Sequence, residues 1–281
     1  MSVGPNAEET LSAASISVSL VHFRSDLRQL SDTLRGLEAA RIAYAAAGAG
    51  PVSLYVVDNT PQGDPALDGT VRDHWRGPLQ LLRPGRNLGF GAGHNLALAQ
   101  ADGEFHLILN PDVYMEPQAL LRCARYLRGH RRTVMLSPQA RGGEGQRVYL
   151  CKRFPSVLAL LLRGFAPAWL RQAFRRRLDH YEYRGETEQQ IREGVLIASG
   201  FFMFARRRAL QAINGFSPRF FLYFEDFDLS LRIASQGRID YFPAVCVVHY
   251  GGHSSRKGIR HILLFVRSAI TFFSIHGWRW W

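Results

Sequence analysis

Short runs of β-branched and aliphatic residues at 16–21, 52–57, 79–82 and 105–109 each hand the chain to polar or glycine-rich residues at their carboxyl ends. This pattern constrains the fold most. Between the first two runs, Leu27, Leu30, Leu34 and Leu37 keep helical spacing over 26–47, with Ser25 expected as the cap and Gly48-Ala49-Gly50-Pro51 as the stop. Buried strands alternating with helices predict an α/β domain: an open, mostly parallel sheet flanked by helices, with its ligand crevice outside the strand ends. The residues delivered to that crevice are His22 and Arg24, Asp58 and Asn59, the glycine turn after 79–82, and Asn110-Pro111-Asp112.

The second half is less regular. A helix is predicted to about Gly129, then a short strand at 133–136 and a hairpin turn at 141–145. The stretch 152–192 mixes Phe154, Leu158, Leu161, Phe165 and Trp169 with Arg163, Arg171, Arg175, Arg176 and Arg177. It reads either as an insertion with a solvated basic face or as an amphipathic patch for anionic lipid. Core strand is expected at 195–198 and 200–204, and a buried extended segment at 220–224. The expected organisation is one domain over 15–255, with a nucleotide-binding half at 15–115 and an acceptor half at 116–255. A C-terminal amphipathic helix at 256–281, ending Trp278-Arg279-Trp280-Trp281, would pack on protein or contact a membrane surface.

The chain of 281 residues carries a formal net charge of +12, which favours a phosphate-bearing ligand or an anionic surface. A polynucleotide-binding role would explain that charge but neither the glycine turn nor acids set in an apolar run, so no nucleic-acid partner is expected. Cys123, Cys151 and Cys246 form no CxxC pair, which excludes a disulfide framework and a zinc site of that type. The opening 1–10 is polar, and the apolar tract 259–273 is interrupted by Arg267 and shorter than the roughly 20 residues of a spanning helix. A cytoplasmic or membrane-surface protein is expected.

Chemistry concentrates in a few places. In Phe224-Glu225-Asp226-Phe227-Asp228, carboxylates lie among aromatic and aliphatic side chains where a helix begins. Acids there gain from the helix dipole and are expected to stay ionised, as a general base must; the alternative is that Asp226 or Asp228 only caps the helix. In 86–95, Asn87, Gly89, Gly93 and Asn95 belong to a turn that opens into a helix whose amino end suits a diphosphate, or that serves only a tight turn. Asp58 and Asn59 can accept from a base or ribose. Asp112, following Asn110, suits a divalent ion bridging phosphate oxygens, and His249 emerges at another strand end where it could join that ion or touch the diphosphate. The glycines and hydroxyls after it, 251–255, suggest a loop closing over phosphate.

Read in order, Val56-Val57-Asp58-Asn59, Asn87-Leu88-Gly89-Phe90-Gly91-Ala92-Gly93-His94-Asn95, Leu109-Asn110-Pro111-Asp112, Ala198-Ser199-Gly200-Phe201-Phe202-Met203, Phe224 to Leu229 and His249 to Ser254 resemble the signatures of family 2 glycosyltransferases, in the rhamnosyltransferase-like branch. The resemblance implies a GT-A fold, a nucleotide-sugar donor, inversion at the anomeric carbon and a divalent metal, magnesium or manganese. It implies that Asp58 reads the base, that Asn87 and Asn95 line the nucleotide pocket, and that Asp112 is the metal-binding acid with His249 beside it. Asp226 would be the base and Glu225 its support or a hold on the acceptor. The donor implied is dTDP-β-L-rhamnose, and the acceptor a bacterial surface glycan or lipid-linked saccharide of lipopolysaccharide core or O-antigen type. The alternatives are another donor, a UDP-linked hexose or N-acetylhexosamine, or an inactive scaffold. A homodimer and contact with an anionic membrane are further expectations. Two positions depart from the pattern: Asn110 stands where an acid is commoner, and His22-Phe23-Arg24 replaces the commoner residues after the first strand.

Overall fold

A computed structural model describes residues 14–187, 189–251 and 258–281. The elements run β1 (Ile16–His22), α1 (Leu27–Ala46), β2 (Val52–Asp58), α2 (Leu67–His74), β3 (Leu79–Leu82), α3 (Phe90–Leu98), β4 (Phe105–Leu109), β5 (Val113–Met115), α4 (Ala119–Gly129), β6 (Thr133–Gly142) and β7 (Arg147–Val148). They continue with α5 (Val157–Phe165), α6 (Ala168–Ala173), α7 (Arg175–Tyr181), β8 (Phe202–Arg206), α8 (Arg207–Ala212), α9 (Glu225–Ile233), β9 (Arg238–His249) and α10 (Ile259–His276). The described strands form one nine-stranded sheet in the order β3-β2-β1-β4-β8-β6-β9-β5, with β7 on β6.

Strands β1 to β4 pair in parallel: β1 lies between β2 and β4, and β3 lies outside β2. Every residue of β1 and β4 is buried, as strands covered on both faces must be. In this register His22 stands beside Asp58, and the chain leaves β4 at Asn110 on the same edge. Beyond β4 the sheet becomes mixed: β8 runs antiparallel to β4 and β6, while β6 and β9 are parallel. Inside the first half, Ser19 accepts or donates at 2.7 Å to His94 and 2.9 Å to His106, which also meets Ser17 at 2.8 Å. Burial pushes both imidazoles down to about 3, so this chain of hydrogen bonds is neutral and seats α3 on the sheet.

Several local expectations change. The cap of α1 is Asp26, which accepts from the Arg28 amide at 2.8 Å, in place of Ser25. No strand forms at 195–198, where only Ile197 bridges Lys152, because neighbouring backbone amides are taken by α9: Ser230 Oγ accepts from Ala198 N–H at 3.1 Å. Residues 220–224 are likewise not extended. Tyr223 and Phe224 adopt left-handed φ of 71° and 64°, which costs non-glycine residues of order 1–3 kcal/mol each. The turn drops Phe220 and Phe224 into a cluster with Phe272 and Phe273 and starts α9 at Glu225.

The C-terminal helix ends earlier than expected, at His276, and Gly277 turns the chain at φ 97°. The tail then packs back on α5: the amides of Val157 and Leu158 donate to the carbonyls of Arg279 and Trp280 at 2.8 and 3.2 Å. Helix α10 is long and apolar enough to cross a membrane by length and composition, contrary to the estimate from 259–273. Its inner side, however, is occupied. His276 binds Asp228 at 2.9 Å, Ser268 donates to the Leu222 carbonyl at 2.8 Å, and Phe272 packs on Phe224, Phe154 and Phe227. Phe272 is fully buried, so Phe272→Ala is expected to lower the unfolding free energy by about 3–5 kcal/mol, measured by urea denaturation.

Candidate active site

Helix α9 begins directly at Glu225 and Asp226, so its first turn carries both acids. Asp226 is half-buried, and its Oδ2 accepts the backbone N–H of Gly200 at 3.0 Å while Oδ1 accepts that of Phe227 at 3.0 Å. Glu225 is buried, and its Oε2 has no hydrogen-bond partner. Burial lifts both carboxyls. For Asp226 the amides of Gly200 and Phe227 offset part of the lift, leaving it at about 6. For Glu225 burial is reinforced by the charge of Asp226, and the group is pushed up to about 8. Asp226, with two amide donors, is therefore the member favoured as carboxylate, and Glu225, with a bare oxygen, the member favoured as acid.

The expectation that both acids stay ionised fails for Glu225 on magnitude. A helix dipole is worth about 0.3–2 kcal/mol to a carboxylate, whereas a lift from 4.5 to about 8 represents several kcal/mol. The helix-cap alternative for Asp228 also fails. Its carboxylate takes Arg232 at 2.7 Å and His276 at 2.9 Å, tying α9 to α10.

Gly200 links this pair to the strand-end residues. Its neighbour Phe201 accepts the Asn110 amide at 2.9 Å and stacks its ring on His249, centroids 4.4 Å apart and nearly parallel. His249 Nε2 lies 3.3 Å from Asp112 Oδ2. Asp112 Oδ1 and Asn110 Oδ1 are buried without partners, so oxygen acceptors collect at this point. Gly251 is required here: a Cβ would come within 2.0 Å of Asp112 Oδ2. Among the described residues no cluster of three or more metal-binding side chains occurs, and Asp112 with His249 is a two-donor set. The expected phosphate loop at 252–255 lies outside the described residues.

Three cavities meet around these groups. One of about 300 Å³ is lined by Val21, Asn59, Asn87, Gly89, Phe221 and His261 among others. A second of about 740 Å³ is lined by Tyr149, Lys152, Arg163, Ser199, Phe201 and His249 among others. The third, about 480 Å³, has Glu225 and Asp226 in its wall; it shares Arg163 and Phe227 with the second and His261 with the first. Lys152 is buried, and burial with the Arg163 charge pushes its ammonium down, Glu182 holding it at about 8. Glu182 itself takes Lys152, Arg163 and Arg184 at 3.1, 3.0 and 2.7 Å.

Some predicted binding residues serve the fold instead. Asn95 does not line the 300 Å³ cavity that Asn59, Asn87 and Gly89 line. Its amide donates to the Phe216 carbonyl and its oxygen accepts the Phe216 N–H, both at 2.8 Å, clamping α3 to the segment before α9. Gly93 lies inside α3 against Val21, where a Cβ would come within 2.9 Å. Asp58 is buried with its oxygens on the amides of Thr60 and Asp64 at 3.0 and 2.8 Å. Burial would raise its carboxyl, but those amides outweigh it and hold the group below its ordinary value. His22 is buried against Asp64 at 2.9 Å, and Arg24 stacks over Phe23 with a left-handed φ of 52°. Gly89 does stand in the wall. Its φ is 85°, a Cβ would meet the Phe221 carbonyl at 2.3 Å, and its own carbonyl accepts from Asn59 at 2.9 Å. Arg163, Lys152 and His261 had no assigned role in the sequence; their signal was only the basic and aromatic interleaving of 152–192 and the helical tail.

The sequence model described as Glycosyl transferase family 2 matches residues 51–213. Over 246 residues the chain is 28% identical to the N-acetylglucosaminyl-diphospho-decaprenol L-rhamnosyltransferase of Mycobacterium tuberculosis, covering 82% of this chain and 77% of that protein. It is 28% identical over 178 residues to rhamnosyltransferase WbbL of Escherichia coli, covering 60% of this chain and 63% of that one. Among solved structures, GalNAc-T7 with UDP, GalNAc and Mn2+ matches with a TM-score of 0.61 at 14% identity, covering 86% of this chain; the chain spans 44% of it, a likeness of fold.

The split of the acid pair has a stability signature. A carboxyl raised in the fold contributes most below its unfolded pKa, and the contribution is lost as pH rises through the folded value. His94 and His106, lowered in the fold, act in the opposite sense, but only below about 6.5. From about pH 6.5 to 8 the wild-type protein is therefore expected to lose stability, and Glu225→Gln is expected to flatten that slope in urea melts across the window.

Proposed function

This chain belongs to glycosyl transferase family 2 and has the GT-A fold; from that premise we propose that it transfers L-rhamnose from dTDP-β-L-rhamnose, with inversion, to a hydroxyl of a lipid-linked saccharide or surface glycan. The sugar rests on the two rhamnosyltransferase relatives, and the acceptor class on the diphospho-decaprenol in the name of the mycobacterial one. The observation that carries the chemistry is Asp226: a carboxylate held by the backbone amides of Gly200 and Phe227, Gly200 being the chain neighbour of Phe201, whose ring stacks on His249.

In this reading the nucleotide base lies over Asn59, Asn87 and Gly89, with Asp58 fixing the turn behind them. The diphosphate lies toward Asp112 and His249. Their carboxylate and imidazole, with the unpartnered oxygens of Asp112 and Asn110, fit a hard divalent cation, magnesium or manganese. Such an ion would neutralise charge on the leaving diphosphate. Asn110 in place of an acid leaves one fewer negative donor, so that ion is expected to bind mainly together with the nucleotide. Lys152 adds positive charge in the same cavity.

Transfer is a single displacement. Asp226 takes the proton of the acceptor hydroxyl as its oxygen forms a bond to the anomeric carbon. On the opposite face the bond from that carbon to the diphosphate oxygen breaks, and its electron pair leaves on the diphosphate. Protonated Glu225 can donate to the acceptor while leaving Asp226 free to accept. A place at the cytoplasmic face of the membrane follows from a water-soluble donor and a lipid-borne acceptor.

Asp226→Asn is expected to keep dTDP affinity, measured by calorimetry, and to lower kcat by about 10²–10⁴-fold. Transfer at the wild-type rate in that variant removes Asp226 from the role. For the wild type, kcat/KM is expected to fall as pH drops below about 6, where Asp226 takes up its proton.

A further inference from the structure

The 480 Å³ cavity is larger and greasier than a sugar hydroxyl needs. Beyond Glu225 and Asp226 its walls are Leu160 and Phe165 of α5, Phe224, and Ile262 and Phe265 of α10, and among the described residues the one arginine or lysine lining it is Arg163. Glu182, the partner of Arg163, also serves Lys152 and Arg184, so the guanidinium keeps positive charge that this carboxylate does not neutralise. From acids to cation to apolar rim, the cavity is graded.

That gradient continues outside. Phe165 is 59% exposed and Trp169 71%, while Ile262, Leu263, Val266 and Ile270 form an outer stripe on α10 with exposures of 44 to 64%. Apolar faces of this extent on a helix mark a surface that something covers. Exposed Arg260 and Arg267 stand on α10 next to that stripe in sequence, and exposed Arg171 and Arg176 follow Trp169 on α6 and α7; cations beside exposed apolar side chains favour anionic lipid over a second copy of this basic chain.

We propose that the cleft between α5 and α10 is an acceptor subsite for an amphiphile, with the saccharide at Asp226, its phosphate at Arg163 and the first segment of an apolar chain between Phe165 and Ile262, whose rim rests on the membrane carrying it. This rests on the glycosyl-transfer reading and adds where the acceptor's lipid lies. The cleft separates acceptor from donor: the nucleotide cavity lies on the far side of His261, whose Nδ1 meets the Tyr223 hydroxyl at 3.0 Å.

The test is calorimetric, on the full chain without added metal, with farnesyl diphosphate, farnesol and inorganic diphosphate as probes. Farnesyl diphosphate is expected to bind at least about tenfold more tightly than either fragment, because head and tail engage together. Phe165→Ser combined with Ile262→Ser, and separately Arg163→Gln, are each expected to weaken it about tenfold. Both rim side chains are exposed, so an unchanged Tm shows that the double variant is folded. Saturating dTDP is expected to leave the affinity unchanged. Displacement by dTDP, wild-type affinity in the folded double variant, or a dimer that the double variant splits while lipid affinity persists would overturn the proposal. Rhamnosyl transfer without this binding pattern sinks the subsite alone, and the pattern without transfer sinks the donor reading alone.

Discussion

The backbone of Gly200 and Phe201 sets the separation between the two chemical ends of the site. One N–H fixes Asp226, while the next carbonyl and ring fix Asn110 and His249. A dipeptide can do this because adjacent Cα atoms are held about 3.8 Å apart by a planar trans peptide, a rigid spacer compared with any side-chain contact. The consequences run outward. Strand β8 pairs with β4 from Phe202 onward; just before it the Phe201 carbonyl still takes the Asn110 N–H, while the amides of Ala198 and Gly200 are committed to the acid-bearing helix. A side chain at Gly200 would press on Asp226 and Phe90 together, both at 3.2 Å, so the close approach of α9 to α3 also depends on it.

Once α9 is held there, desolvation divides labour between neighbouring acids. Asp226 receives two backbone hydrogen bonds and Glu225 leaves an oxygen bare, and this difference in donors, on the same turn and in the same dipole, decides which one ionises first. The left-handed Tyr223 and Phe224 are part of the same arrangement. They turn the chain sharply enough that the aromatic side chains preceding the acids face α10 while the acids face the cleft, and the backbone strain is offset by burial of Phe220 and Phe224.

The parallel part of the sheet was legible in the sequence because its information is local. Strand-end positions in a parallel sheet share an edge, so the ends of β2 and β4, where Asp58 and Asn110 stand, could be put on one edge by counting strands, and the register of β1 with β2 and β4 has them there. Asn95 and Gly93 misled for a related reason: they lie in a glycine-rich turn of the right composition, yet Asn95 is consumed by Phe216, 121 residues away. No periodicity reports such a contact. Likewise the run 220–224 looks like a strand by composition, and only its packing against Phe272 and Phe273 turns it into a kinked entry to α9.

The cavity wall facing Glu225 and Asp226 is built from what looked like appendages. The insertion supplies α5 and the buried Lys152–Glu182 cluster, and the tail supplies α10, tied to α9 through His276, Asp228 and Arg232. An aromatic residue in an amphipathic helix carries the same sequence signal whether it faces a core, a membrane or a substrate, so composition alone could not separate these uses. Position does separate them. Phe272 and Phe273 point inward and hold the helix, Ile262 and Leu263 point outward, and Phe265 lies between, in the wall beside the acids. A helix that is apolar on both sides while one side is already packed has a second face that folding does not use, and here that face borders the cavity lined by Glu225 and Asp226.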